Sequence, residues 1–144
     1  MSKQFSVALF GTMLTGWRVG VREQLLERGF TPIDNTDPRW EVAETAEDIR
    51  PLLEQDHRLM AEADAVLWHH DAGAPGATAR FEPGAAQVLG RPTVMHVEPG
   101  VVKREYMRAL CLQYPTQFYW AETWEAVFAT LERIAASRRT ESAP

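Results

Sequence analysis

The sequence predicts an α/β domain: a parallel β-sheet covered by helices on both faces, joined by crossovers of the usual right hand. Short runs of apolar, β-prone residues alternate along the chain with longer segments whose apolar residues recur at helical spacing. The clearest runs are continuous in apolar character, as strands buried on both faces require. Glycines close several of these segments, where a turn must follow.

The first strand is expected at residues 5–10 (Phe-Ser-Val-Ala-Leu-Phe), ended by Gly11. Over residues 17–28, Val21, Leu25 and Leu26 fall at helical spacing among Arg22, Glu23, Glu27 and Arg28, and Gly29 supplies a helix stop. A second strand occupies residues 31–34, followed by a polar loop carrying Asp37, Pro38, Arg39 and Trp40. Residues 46–63 form a helix with Ile49, Leu52, Leu53, Leu59 and Met60 on its apolar side, and Pro51 bends or restarts it.

Residues 65–68 make a buried strand, residues 72–79 are small and rich in Gly and Pro, and Pro83 opens a helix that Gly90 closes. The next strand is residues 93–97, followed by a Glu98-Pro99-Gly100 turn, a helix over 103–112 and a short strand over 117–120. Thr123 caps a final helix reaching about Ser137, with Trp124, Val127, Phe128, Leu131, Ile134 and Ala135 on one stripe that packs on the sheet or on a second subunit.

With 144 residues, 45% apolar and 24% charged, the chain has the size and composition of one ordinary domain. That domain is expected over residues 1–137, with 138–144 as a flexible tail. A net charge of −5 argues against nucleic acid as the main partner, because such binders present a basic face, and basic residues cluster here only in short pairs such as Arg138-Arg139. The lone Cys111 fits a reducing compartment and reads as a small buried hydrophobe. The start of the chain is polar, and no apolar run approaches the roughly 18 to 20 residues of a membrane span. The expected setting is the cytoplasm.

In a sheet of this kind ligands sit beyond the carboxyl ends of the strands, near the point where strand order reverses. Four segments should meet there: residues 11–18, 34–40, 69–82 and 97–100. The third holds Asp71, a stretch of small residues, and Glu82 directly before Pro83 at an expected helix start. A carboxylate there accepts backbone N–H bonds and feels the positive end of the helix, so it is expected to be ionised at neutral pH. Such a group serves either as a helix cap or as a nucleophile toward an electrophilic carbon.

Several of these segments together resemble the nucleoside 2-deoxyribosyltransferase family and its N-glycosidase relatives, in their more divergent branch. The resemblance spans about residues 5–98. Gly11-Thr12 and Trp17-Arg18 are similar to the family's opening nucleoside-binding loop, and residues 35–40 (Asn-Thr-Asp-Pro-Arg-Trp) to the loop after its second strand. Residues 63–66 (Ala-Asp-Ala-Val) resemble the approach to its third strand, and the stretch from Asp71 through Thr78 and Glu82 to Gly84 and Ala86 resembles the motif that holds its catalytic glutamate.

The resemblance implies a flavodoxin-like, doubly wound, five-stranded parallel sheet in three α/β/α layers. It implies cleavage or transfer of the N-glycosidic bond of a nucleoside or nucleoside 5′-monophosphate, with Glu82 as nucleophile. Asp56 on the preceding helix would position the base or supply its proton, and Asp71 would support the site from a strand end. Gly11, Thr12, Trp17, Arg18, Asn35 and Trp40 are the implied substrate contacts. The family often completes its pocket across subunits, so a homodimer or larger homo-oligomer is expected. The alternative is a non-catalytic nucleotide-binding or sensing domain of the same fold.

Structural roles compete for several of these residues. Trp17 and Trp40 can stack on a base or pack in the core, in a chain with five tryptophans. Arg18 can pair with a substrate phosphate or with a carboxylate such as Asp34. Asp64 reads as a turn or capping residue. His57, His69 and His70 suggest metal binding, but adjacent residues of a strand point to opposite faces, so His69 and His70 cannot ligate one ion together. Neither a metal nor a cofactor is expected. Gly11 to Gly16 lacks the dinucleotide glycine fingerprint and the phosphate-binding Lys-Ser/Thr pair.

Overall fold

A computed structural model describes residues 3–12, 16–34, 36–72 and 82–142. Strands and helices alternate: β1 Ser6–Gly11, α1 Trp17–Glu27, β2 Thr31–Asp34, α2 Ala46–Glu62, β3 Ala65–His70, α3 Glu82–Val88, β4 Thr93–Val97, α4 Arg104–Gln113, β5 Phe118–Trp120 and α5 Trp124–Ser142. The strands form one sheet in the order β2-β1-β3-β4-β5 with every pairing parallel, which is the flavodoxin-like arrangement expected. Strand order reverses between β1 and β3, where Gly11 lies opposite His69.

Side-chain alternation divides the core in two. Val7 and Leu9 of β1, Ala65 and Leu67 of β3 and Val94 of β4 face one side and pack under Val21 and Leu25 of α1 and Val127, Leu131 and Ile134 of α5. Ala8, Phe10, Val66, Trp68, Met95 and Val97 face the other side and meet Met60 of α2, Ala86 of α3 and Met107 and Cys111 of α4. Strands covered twice must be apolar at every position, which is why the β1 and β3 runs do not alternate with polar residues. The stripe on α5 is consumed by its own sheet: Val127 and Leu131 are 0% exposed and Ala135 is 2%. Of the two surfaces offered for it by the sequence, the sheet is the one used.

Three local features differ from expectation. Helix α2 runs from Ala46 to Glu62 without restarting at Pro51, its sixth residue; the bond lost there is offset by the capping box at Thr45 and by burial of Leu52 and Met60. A 3₁₀ turn, Pro38–Glu41, replaces irregular loop; the Asp37 carboxylate accepts the Arg39 amide at 2.9 Å, and proline sits at its start. Helix α5 continues to Ser142 instead of ending near Ser137, its last turns including a Thr140 hydroxyl that donates to the Ala136 carbonyl at 3.1 Å. No helix among the described residues is long and apolar enough to cross a membrane.

Two polar devices anchor the sheet. The Asp64 carboxylate accepts the Ser6 amide at 2.8 Å and its hydroxyl at 3.1 Å, while the Asp64 amide donates back to Ser6 Oγ at 3.0 Å. Asp64 therefore ties the starts of β1 and β3 together, at the opposite end of the sheet from the candidate site. Helix α2 opens on a capping box, with Thr45 Oγ1 accepting the Asp48 amide at 3.1 Å and Asp48 Oδ2 accepting the Thr45 amide at 3.2 Å. Thr45→Ala removes half of it and should cost about 1 kcal/mol. A urea midpoint unchanged from the parent would refute that role.

Candidate functional site

The carboxyl ends of β1, β3 and β4 bring together most of the residues singled out above, and they do so on both faces of the sheet. Trp68 and His70 point toward α2, α3 and α4; His69 points toward α1 and α5, in keeping with strand alternation.

Glu82, the first residue of α3, stands on the Trp68 side. Its Oε2 accepts the Trp68 indole N–H at 3.1 Å. The expectation of an ionised Glu82 is overturned: burial pushes its carboxyl up to about 8, and the negative charge of Asp56 adds to the rise. The Arg18 guanidinium, the Trp68 indole and the Gly11 backbone oppose this without reversing it. Loss of water outweighs the start of a seven-residue helix, whose dipole is short. Asp56 reaches the same place from α2 and is 5% exposed. Glu82 and Asp56 are thus two carboxyl groups close enough for the charge of one to act on the other.

Arg18 is the nearby cation. It is buried, donating from Nη1 to the Thr12 carbonyl at 2.5 Å and from Nη2 to the Gly11 carbonyl at 3.4 Å, with Nε 3.4 Å from Asp34 Oδ1. Its charge acts on Glu82, Asp56 and Asp71 as well as on Asp34. The expected pairing with Asp34 is therefore present, and the same guanidinium sets the field of the acidic cluster.

Gly11 and Thr12 build the floor. Thr12 is 1% exposed, donates its amide to the His69 carbonyl at 3.0 Å and accepts the Asp71 amide on Oγ1 at 3.0 Å. Trp17 donates its indole N–H to the Thr12 carbonyl at 2.7 Å, carries the Arg18 guanidinium 4.7 Å above its ring and stacks with Trp124 at 5.9 Å. Packing thus accounts for much of its ring. Trp40 lies in the 3₁₀ turn, half-buried, and Asn35 and Thr78 lie outside the described residues.

The other face holds a group that sequence reasoning missed. His69 Nε2 is 2.7 Å from Asp71 Oδ1, and its Nδ1 lies 2.9 Å from the His96 carbonyl and 2.8 Å from His96 Nδ1. The two imidazoles stack at 4.8 Å, with Trp124 against both. Burial holds His96 down at about 4, neighbouring His69 adding to the fall, so His96 is neutral at physiological pH. His96 also bonds the Glu122 backbone. The short contact between the two Nδ1 atoms holds one bridging proton. On the Glu82 face, His70 Nδ1 meets the Asp71 carbonyl at 3.0 Å and its buried Nε2 has no partner among the described residues. The one signal for His96 was a polar residue inside the buried run Thr-Val-Met-His-Val; its partner follows only from the register that sets His69 beside it.

The sequence matches no protein-family model and no curated protein. Among solved structures, the chain is similar to a 2-deoxyribosyltransferase from the psychrotolerant bacterium Bacillus psychrosaccharolyticus, a biocatalyst for nucleoside synthesis. Sequence identity is 20% and the TM-score 0.59, over 88% of this chain and 95% of that one. At that identity the likeness establishes a common fold.

Proposed function

We propose that this chain cleaves or transfers the N-glycosidic bond of a nucleoside or nucleoside 5′-monophosphate, with Glu82 as the nucleophile. The observation that carries the reading is the Glu82–Asp56 pair, desolvated together at the strand ends beside Arg18. A carboxyl kept protonated beside a second carboxylate supplies both an acid and a base. The fold shared with a 2-deoxyribosyltransferase supports the same chemistry.

In this reading the anionic Glu82 oxygen attacks C1′ as the bond to the base nitrogen breaks. The electron pair leaves with the base, which takes the single proton of the pair, passed from Glu82 to Asp56 as Glu82 becomes the nucleophile, and a glycosyl ester remains on Glu82. Water, or the nitrogen of a second base, then attacks C1′ and returns the carboxylate. Arg18 keeps the acidic cluster from accumulating unbalanced charge, and the lone pair on His70 Nε2 is suited to accept a sugar hydroxyl.

The test is incubation with a panel of nucleosides and monophosphates, with free base followed by chromatography. Asp56→Asn should lower base release by about 10² to 10⁴, the usual worth of a positioned acid. Ligand-induced thermal stabilisation without any release of base would instead mark a nucleotide-sensing domain.

A further inference from the structure

We infer that His69, Asp71 and Glu98 form a binding site for a divalent transition-metal ion at the carboxyl ends of β3 and β4. The inference is independent of the glycosidic reading and concerns the sheet face opposite Glu82. His69 Nε2 lies 2.7 Å from Asp71 Oδ1 and 4.0 Å from Glu98 Oε1, and the three donor atoms all fall within 4.8 Å of one another. Donors bound to one zinc at about 2.0 to 2.2 Å stand about 3.3 Å apart in a tetrahedral site. The observed separations bracket that value. The side chain that must move inward is Glu98, which is 42% exposed.

The His69 ring and the Glu98 carboxylate are each oriented by a second contact, as metal ligands characteristically are, and Asp71 is fixed through its backbone. His69 Nδ1 is engaged by the His96 carbonyl at 2.9 Å, which leaves Nε2 as the nitrogen facing the two carboxylates. The Asp71 amide is held by Thr12 Oγ1 at 3.0 Å. Glu98 is pinned by its own amide on the His70 carbonyl at 3.1 Å, and its Oε2 accepts the Ala72 amide at 3.4 Å, leaving Oε1 toward His69. The sequence argument against a metal concerned His69 with His70. It does not reach this set, in which His69 is the only strand histidine and the carboxylates come from the two following loops.

One imidazole and two carboxylates suit zinc or another first-row divalent ion, and their two negative charges balance its charge. Three protein donors leave coordination positions for water or for an oxygen of a bound ligand. His69 is buried against the half-buried Trp124, while Glu98 is partly exposed.

The full-length chain, stripped with chelator, should be titrated with Co²⁺ by visible absorption and with Zn²⁺ in competition with a chromophoric chelator. The expected result is one equivalent bound, weakened by at least about tenfold in both Glu98→Gln and Asp71→Asn. Glu98 is exposed enough that its substitution tests the site without threatening the core. His57→Ala, which removes the exposed histidine on α2, should leave the affinity unchanged. The assignment is overturned by no uptake at about 1 mM metal, a concentration far above functional zinc affinities. It is equally overturned if uptake survives both carboxylate variants or disappears with His57→Ala.

Discussion

Glu82→Gln is expected to lower the release of free base by about 10³-fold or more, the scale on which removal of a nucleophile acts. Glutamine retains the shape of the side chain and an oxygen that can accept the Trp68 indole N–H now made at 3.1 Å. It has no anionic oxygen to form an ester at C1′, so the fold should persist while the chemistry stops. Base release by Glu82→Gln at the parental rate would remove Glu82 from the mechanism. In the parent, kcat/KM should fall as pH rises through about 8, since the pair then loses the proton that must leave with the base. That apparent value belongs to the Glu82–Asp56 pair.

The same variant makes a prediction about stability. Folding raises the Glu82 carboxyl from an ordinary 4.5 to about 8, so between those values the folded protein holds a proton that the unfolded chain has released. The resulting stabilisation is complete below about 4.5 and is lost as pH rises through about 8. Glu82→Gln has no such proton, and its stability relative to the parent should increase from pH 5 to pH 9. His96 imposes the opposite slope at the acid end: held at about 4 when folded against 6.5 when unfolded, it costs stability as pH falls through that window. His96 is common to both proteins, so subtracting their urea curves isolates Glu82. Parallel stability profiles across this range would mean that the Glu82 carboxyl is well solvated.

What sequence could and could not reveal divides along range of interaction. Apolar runs located all five strands to within about two residues, and local chemistry identified Asp64 as a structural residue and the helix start at Glu82. The charge state of Glu82 differs from expectation because a helix start is visible in sequence, whereas burial of the carboxyl and the approach of the Asp56 charge are not. His96 and Trp124 escaped notice for a related reason. Each sits in an element whose apolar pattern explains it locally, and only the β3–β4 register and the return of α5 place them against His69. Glu98 read as a turn residue, which its backbone is; its approach to His69 depends on two strand ends meeting in space.

Gly11→Ala is expected to be the most damaging Gly→Ala substitution among the described residues, costing about 3 kcal/mol or more and lowering the Tm by roughly 10 °C. A Cβ at this position would lie 1.8 Å from the His69 carbonyl oxygen, with the His69 carbon at 2.7 Å and nitrogen at 2.9 Å. All three are backbone atoms of a strand paired on both sides, so neither neighbour can step aside without breaking the sheet at its switch point. The φ of +120° adds strain of its own. Gly29→Ala separates the two effects: its φ is +80°, but nothing lies within 4 Å of the added methyl, so it should cost only about 1 kcal/mol. Equal losses for the two variants in thermal unfolding would show that backbone conformation, and not the approach of β1 to β3, dictates glycine at position 11. If contact dominates, the damage extends to the site. The displaced Gly11 and Thr12 carbonyls are the acceptors that hold Arg18, and with Arg18 moves the positive charge that faces Glu82, Asp56 and Asp71.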